Sequence, residues 1–178
     1  GARFDFDKAR WFNQQYIMAT PDEALAAAVR PFIEAHGPRP EKGFLVEFCR
    51  RMKERGSLYT EFWVQGYYFF ESVREYDEKA VGKKWNPERR PAFETLAARL
   101  RVLEPYSGAA IEQAVKQFIK AHQLKFGDVL PVLRLSLAGT MQGPAVFDMM
   151  ALIGKEEVDR RLQAAYETFD GLAGAGNA

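Results

Sequence analysis

The stretch NPERRPAFETLAARLRVL, residues 86–103, decides the fold class of this 178-residue chain. Asn86 is a residue type that caps helices, and Pro87 suits the first helical position, so the pair predicts a helix start. The apolar residues that follow recur at the period of one helix face: Phe93, Leu96, Ala97, Leu100 and Leu103. Pro105 cannot continue this pattern. The stretch is therefore predicted to be an amphipathic helix.

The rest of the chain shows the same organisation, with helix following helix. Residues 20–23 have the pattern of a capping box with Thr20 as the cap, and the glycine and proline at 37–38 end the amphipathic run that follows. Ser57 and Ser107 are predicted caps of later helices. Periodicity predicts further helices over residues 40–55, 58–70, 127–137, 143–153 and 155–169. No alternating apolar segment is bounded by hairpin turns, so the chain is predicted to be all-α.

The charged segment 73–84 has little periodicity and is the predicted seam between two domains, with the boundary near Tyr76. The predicted organisation is two small helical domains packed in series, over residues 21–76 and 77–170. Residues 171–178, rich in glycine and alanine, are predicted to form a flexible tail.

The composition excludes several classes of function. The chain has 25 basic and 24 acidic residues, so a nucleic-acid partner would need a local basic surface rather than a net charge. The single cysteine, Cys49, excludes an intramolecular disulfide and a multi-cysteine zinc site, and its apolar surroundings predict a core position. No segment reaches the roughly 20 apolar residues that span a bilayer, so no membrane contact and a cytoplasmic location are expected. The two histidines, His36 and His122, join no recognisable constellation, and no catalytic residue or metal site is predicted.

Several segments spread along the chain resemble one protein family. The opening part contains FDKARWFNQQYI at 6–17, and the closing part contains LRLSLAGT at 133–140, GPAVF at 143–147 and ALIGKE at 151–156. Between them lie FFE at 69–71 and YDEKA at 76–80. Together these segments resemble the C-terminal, anticodon-binding region of bacterial-type glutamyl-tRNA synthetases, which are class I glutamate–tRNA ligases. The resemblance covers nearly all of the chain.

The resemblance implies a longer parent protein and a division of labour within it. A Rossmann-type catalytic domain would carry the ATP motifs, which this sequence lacks, so ATP and magnesium would belong to that missing domain and no cofactor to this chain. Residues 1–20 would end a region that contacts the tRNA stem, and the two helical domains would form a cage around the anticodon loop. The implied partners are glutamate tRNA and the missing catalytic domain. The chain is expected to be a monomer that cannot charge tRNA alone.

The resemblance also implies which residues read the anticodon. Arg55 falls where the family places an arginine that reads the first anticodon base, and Arg134 matches another arginine at the anticodon site. Gly143 and Val146 match positions that touch anticodon bases, although Gly143 has only its backbone to offer. Without the family, Arg55 could simply end a helix, where a cation favours the dipole, and Arg134 could form a structural salt bridge.

Four further basic residues are candidates for phosphate contacts: Arg51, Lys53, Lys83 and Lys84. Each of them could equally be a solvated residue of a helix. The aromatic residues between Tyr59 and Phe70 could stack on bases, but their density favours a place in the protein core.

Two alternative functions remain open from the sequence. One is a non-discriminating synthetase that also charges glutamine tRNA. The other is a free-standing helical module, derived from a synthetase, that binds RNA or protein.

Overall fold

A computed structural model describes residues 3–175, and over that range the chain contains ten α-helices and no strand. The prediction of an all-α fold is confirmed. Contacts divide the chain into two units, one up to Glu71 and one from Ser72 onward. The first unit contains α1 (Phe6–Ala19), α2 (Asp22–Glu34), α3 (Lys42–Met52) and α4 (Tyr59–Gly66). The second contains α5 (Glu78–Lys84), α6 (Arg90–Arg101), α7 (Gly108–Ala121), α8 (Phe126–Ala138), α9 (Val146–Ile153) and α10 (Lys155–Ala175).

The first unit is built around α2, α3 and α4. Phe48 of α3 is fully buried, and its ring meets those of Phe62, Phe69 and Phe70 edge to face at 4.7–6.3 Å. Such edge-on pairs add to the stability that burial of aromatic surface provides. Cys49 is also fully buried, as predicted. The aromatic stretch therefore supplies core packing for this unit.

The second unit has its own aromatic core, formed where α6 and α10 pack together. The indole of Trp85 stacks on Tyr166 with ring centroids 5.3 Å apart, and Phe93 and Phe169 close the cluster. Trp85 is an amphipathic residue that needs a hydrogen-bond partner when buried. Its Nε1 donates to Asp170 Oδ1 at 2.7 Å, which fixes α10 beside the segment after α5.

Gly139 ends α8 and holds the segment before α5 in place. Its φ of +74° is the left-handed conformation of a helix C-cap, which glycine adopts without steric cost. The carbonyl oxygen of Gly139 accepts the amide of Asp77 at 2.8 Å. A Cβ at this position would lie 2.2 Å from the carbonyl oxygen of Glu75 and 2.7 Å from Val73. Only glycine therefore fits between α8 and residues 73–77.

A buried arginine completes the C-terminus of α8. Arg161 of α10 is 4% exposed, and its Nη1 donates to the carbonyl oxygen of Leu137 at 2.7 Å. The last carbonyl oxygens of a helix have no hydrogen-bond donor within the helix, and the bond from Arg161 supplies a donor to one of them. Arg161 Nε also donates a hydrogen bond to Glu157 Oε1 at 2.9 Å. The buried charge is thus both hydrogen-bonded and paired with a carboxylate, as burial requires.

The observed element boundaries differ from the sequence-based ones in several places. The units separate between Glu71 and Ser72 rather than near Tyr76, because residues 73–77 contact α8 through Gly139. The predicted tail is wrong for residues 171–175, which extend α10. Adding residues to an existing helix costs little, and the half-buried Leu172 gives the extension a contact. Residues 176–178 lie outside the described part of the chain.

Two predicted caps were also wrong. The hydroxyl of Thr20 donates back to the carbonyl oxygen of Tyr16 at 2.7 Å, so it serves the end of α1 and not the start of α2. The start of α4 is capped by Glu61, whose carboxylate accepts the amides of Ser57 and Leu58 at 2.6 and 3.2 Å. A carboxylate reaching back to the helix start satisfies two amides, which a serine hydroxyl cannot do.

Candidate nucleic-acid interface

Arg55 is an exposed residue of the first unit without a side-chain partner among the described residues. It ends a short 3₁₀ turn, Lys53–Arg55, that follows α3 directly. The side chain is exposed, and no hydrogen bond or ion pair joins it to any residue between 3 and 175. Gly56 follows in an extended conformation, and a Cβ there would lie 2.8 Å from the ring of Phe62. The glycine beside Arg55 is thus explained by core packing, and the guanidinium remains available for a ligand.

The backbone that carries Arg55 is held from α1. Gln14 Nε2 donates to the carbonyl oxygen of Glu54 at 2.9 Å, and Asn13 Nδ2 donates to the carbonyl oxygen of Ser57. These two carbonyls lie on either side of Arg55 in the chain. The backbone is therefore held on both sides of Arg55, whose side chain has no partner among residues 3–175.

Glu61 adds a second hold on the same turn. Arg10 of α1 donates to Glu61, which also accepts the amides of Ser57 and Leu58. Burial opposes the ionised form of Glu61, but the hydrogen bonds from Arg10 and the two amides keep its pKa below the ordinary value. The carboxylate is charged at neutral pH and links α1, the Arg55 turn and α4.

Two of the predicted phosphate-contacting residues already have partners within the first unit. Lys53 Nζ donates to the carbonyl oxygen of Thr20 at 3.1 Å and to Asp22 Oδ1 at 2.7 Å, and its side chain is only 15% exposed. The hydrogen bond from Lys53 is the largest cause of the lowered pKa of Asp22. Arg51 lies 4.0 Å from Glu47. A phosphate would have to compete with these contacts, so the assignment of Lys53 and Arg51 stays a prediction.

Of the three predicted reader positions of the second unit, Arg134 lies in α8, Gly143 in the loop after it, and Val146 at the start of α9. Arg134 of α8 donates from Nη1 to the carbonyl oxygen of Pro144 at 2.8 Å, and so fixes the loop between α8 and α9. Gly143 in this loop has a φ of +136°, a conformation that favours glycine. The helix begins at Val146 and not at Pro144, since the two preceding residues belong to the loop.

The side chain of Val146 is too buried to contact a base. Its side chain is 5% exposed and packs inside the second unit. Any contact between Val146 and a base would therefore be made by its backbone amide, because the first amides of a helix have no acceptor within the helix. Arg134 contacts the loop that contains Gly143 and leads to Val146, and the contacts of these three residues with RNA stay predictions.

Lys83 and Lys84 are two adjacent exposed basic residues of the second unit. Both are exposed at the end of α5, and no described residue pairs with either side chain. Arg89 and Arg90, which follow in the sequence, donate to carboxylates of the same unit at 3.1 and 2.7 Å. Two cations of this basic run thus stabilise the protein, and two remain free for a ligand.

Asn13 and Gln14 were not found from the sequence. Their acceptors are backbone carbonyls 44 and 40 positions further along the chain, and no side-chain pattern marks such acceptors.

Within residues 3–175, no group of three or more His, Cys, Asp or Glu side chains is arranged to hold a metal ion. Over the same residues, no helix combines the length and apolar character that crossing a membrane requires.

Over residues 3–175 the chain is all-helical, and Arg55, Lys83 and Lys84 are exposed cations. A family model described as an anticodon binding domain matches residues 24–166. The chain belongs to this family.

Named relatives agree with this assignment. The chain is 32% identical to a glutamate–tRNA ligase of Parabacteroides distasonis over 94% of this chain, and 35% identical to one of Flavobacterium johnsoniae over 93% of it. It spans 33% of the length of each relative. A crystal structure of a glutamate tRNA ligase from Elizabethkingia meningosepticum, in complex with its amino acid, superimposes with a TM-score of 0.90 at 33% identity. That match covers 95% of this chain and 34% of the ligase. The resemblance predicted from the sequence is confirmed.

Proposed function

We propose that this chain recognises the anticodon loop of glutamate tRNA as the anticodon-binding part of a glutamate–tRNA ligase. The observation that carries the proposal is Arg55, an exposed guanidinium on a fixed backbone with no partner among the described residues. The relatives are named as glutamate–tRNA ligases, which supports the choice of tRNA.

A guanidinium in this position suits the reading of an unpaired base. Bases in a single-stranded loop can turn outward and offer their pairing edges to protein side chains. Arginine donates two parallel hydrogen bonds from one rigid plane, and this geometry distinguishes one base from another. An arginine already committed to a carboxylate would first lose that partner. Arg55 forms no ion pair within the described chain, so it can bind a base without first breaking one.

The second unit contributes backbone groups more than side chains. Arg134 holds the carbonyl of Pro144, and this bond sets the position of the loop containing Gly143 and of the amide of Val146. We assign to this loop and to Arg134 a contact with a second part of the anticodon loop, made in the loop by main-chain amides. Backbone amides at a helix start are suited to phosphate or carbonyl oxygens.

We assign to Lys83 and Lys84 contacts with the phosphate backbone of the tRNA. Lysine interacts with phosphate as a point charge and gives affinity without sequence preference. Free lysines at the end of a helix also interact favourably with the helix dipole, which is the alternative role for this pair.

The remaining activity and partners follow from the relatives. Ligation of glutamate to tRNA, with its ATP and magnesium, is assigned to the two thirds of the relatives' length that this chain does not cover. The aromatic side chains of α1, Trp11, Phe12 and Tyr16, are 56–63% exposed and offer a surface for that part of a longer protein. A cytoplasmic location and a monomeric state belong to the same proposal.

The test is binding of an anticodon stem-loop RNA by the 178-residue chain, measured by fluorescence anisotropy. Arg55→Ala is expected to weaken binding of the glutamate stem-loop by about 1–3 kcal/mol, the range for a good bidentate base contact. Replacing each anticodon base in turn identifies the base that Arg55 reads, since only there does the variant lose discrimination. A glutamine stem-loop tests the non-discriminating alternative.

Arg39→Ala is the matched control. Arg39 lies in the same unit, and its guanidinium donates to the carbonyl oxygen of Glu34 at 2.8 Å. The Arg39→Ala variant should bind the stem-loop RNA as tightly as the unsubstituted chain does. Equal binding by Arg55→Ala and the unsubstituted chain, with unchanged helicity, would remove the central residue of the proposal.

A further inference from the structure

We infer that Asn13 and Gln14 of α1 are positioning residues for Arg55, and that they set how well it discriminates among anticodon bases. The inference rests on the proposed function of Arg55. It concerns two side chains that touch no RNA and act through the backbone of the turn.

The geometry of the two bonds carries the inference. Gln14 Nε2 donates to the carbonyl oxygen of Glu54 at 2.9 Å, immediately before Arg55. Asn13 Nδ2 donates to the carbonyl oxygen of Ser57, two residues after it. Two neighbouring amides on one helix therefore hold the chain on both sides of a single exposed arginine.

The turn has little internal support of its own. A 3₁₀ turn of three residues has poorer hydrogen-bond geometry than an α-helix, and it is followed by extended backbone at Gly56. The hold from Glu61 acts at the amides of Ser57 and Leu58, downstream of the turn. Among residues 3–175, Gln14 is the side chain that donates to a carbonyl of the turn upstream of Arg55. Without the α1 bonds, the nearest upstream anchor of Arg55 would be the side chain of Lys53, and the nearest downstream anchor would be the amide of Ser57.

Fixing this backbone affects specificity as well as affinity. A bidentate bond to a base edge needs the guanidinium plane in one orientation, and a site whose competent conformer is only partly populated binds more weakly in proportion. Each net hydrogen bond contributes about 1 kcal/mol, which corresponds to about a fivefold change in an equilibrium. We therefore expect about three- to tenfold weaker binding of the cognate loop for each variant. Binding to loops with the wrong base should change less, because Arg55 contributes less there.

The alternative is that the two residues merely attach α1 to the first unit. That attachment has other supports: Ile17 of α1 is fully buried, and Arg10 is paired with Glu61. A purely structural role would lower stability and affect all RNA ligands alike, whether or not Arg55 is present.

The experiment is a double-mutant cycle in the 178-residue chain. Asn13→Ala and Gln14→Ala are each measured alone and in the Arg55→Ala background, against the glutamate stem-loop and the stem-loop altered at the base read by Arg55. Gln15→Ala is the matched control, because Gln15 is the adjacent exposed residue on α1 and has no partner among residues 3–175. Hydrogen exchange at the amides of Arg55 and Gly56, in the free protein, reports the order of the turn directly.

The expected result has two parts. Asn13→Ala and Gln14→Ala weaken cognate binding and reduce discrimination when Arg55 is present, and have no further effect when it is replaced. Exchange at Arg55 and Gly56 becomes faster in both variants and stays unchanged in Gln15→Ala.

Effects that persist in full without Arg55, or no effect on binding at all, would overturn the positioning role while leaving the proposed function intact. A lack of effect from Arg55→Ala itself would overturn the proposed function at this residue, and the positioning role with it.

Discussion

Replacing Gly139 with alanine should destabilise the second unit by about 1–3 kcal/mol. The φ of +74° costs a residue with a Cβ about 1–2 kcal/mol. The new methyl group would also lie 2.2 Å from the carbonyl oxygen of Glu75, so the backbone there must move away. This movement breaks the bond between the Asp77 amide and the Gly139 carbonyl, worth about 1 kcal/mol. Alanine also reduces the conformational entropy of the unfolded chain, which offsets the destabilisation by about 0.4–1 kcal/mol.

Urea denaturation followed by far-ultraviolet circular dichroism measures the difference, and hydrogen exchange at α8 assigns it to the second unit. Gly82→Ala is the control, because it makes the same chemical change within α5. A Cβ at Gly82 meets nothing within 4 Å, so this variant should be more stable by about 0.5–1 kcal/mol. A change of less than about 0.5 kcal/mol for Gly139→Ala would refute the argument from close packing, since surface substitutions reach that size without any clash.

Three further predictions concern charge and ionisation. The pKa of Glu157 is lowered to about 2, chiefly by the hydrogen bond from Arg160, so its contribution to stability is complete above pH ~4.5 and is lost as the pH falls toward 2. Glu157→Gln should therefore cost about 1–2 kcal/mol at pH 7, after discounting for solvent screening, and nearly nothing at pH 2, by urea denaturation at both values. Burial raises the pKa of the Cys49 thiol to about 12, so iodoacetamide at pH 8 should label the chain only in urea. Replacing Lys83 and Lys84 with glutamine should reduce the slope of log affinity against log salt concentration by about 1.4 on a stem-loop RNA.

Each of the three has an outcome that would contradict it. An acid transition unchanged by Glu157→Gln would show that other carboxylates control acid stability. Rapid labelling of Cys49 in the native chain would place the thiol outside the core. For the lysines, replacing Lys116 and Lys120 of α7 with glutamine changes the net charge equally. An equal fall in slope for both pairs would mean that overall charge, and not the end of α5, governs binding.

Local signals in the sequence predicted the helices well where one short-range bond decides the start. Asn86 accepts the amide of Glu88 at 3.0 Å, and Ser107 accepts that of Ala110 at 3.2 Å, both as predicted. These bonds join residues two or three positions apart, so the pattern contains everything needed. Thr20 failed because a second helix ends just before it. Its hydroxyl donates to the carbonyl oxygen of Tyr16, which also accepts the backbone amide of Thr20, so Thr20 ends the preceding helix.

The candidate site was less accessible to sequence reasoning, since availability of a cation depends on residues far along the chain. Lys53 is paired with Asp22, 31 positions earlier, and Arg90 with Asp170, 80 positions later. Their neighbours in sequence, Arg55 and Lys84, have no such partners among the described residues. Nothing in the local pattern separates the two groups, because only the packing of helices brings the carboxylates near.

The recognised family region begins at residue 24, and α1 lies wholly before it. An excised domain cut at that boundary would keep the α2–α4 core and Arg55, but it would lack Asn13 and Gln14, which hold the turn. If such a piece were fused to another protein, it would carry Arg55, the proposed anticodon reader, without the two side chains that hold its backbone. A usable graft therefore starts upstream of Arg10, and sequence boundaries alone are a poor guide to where this module can be cut.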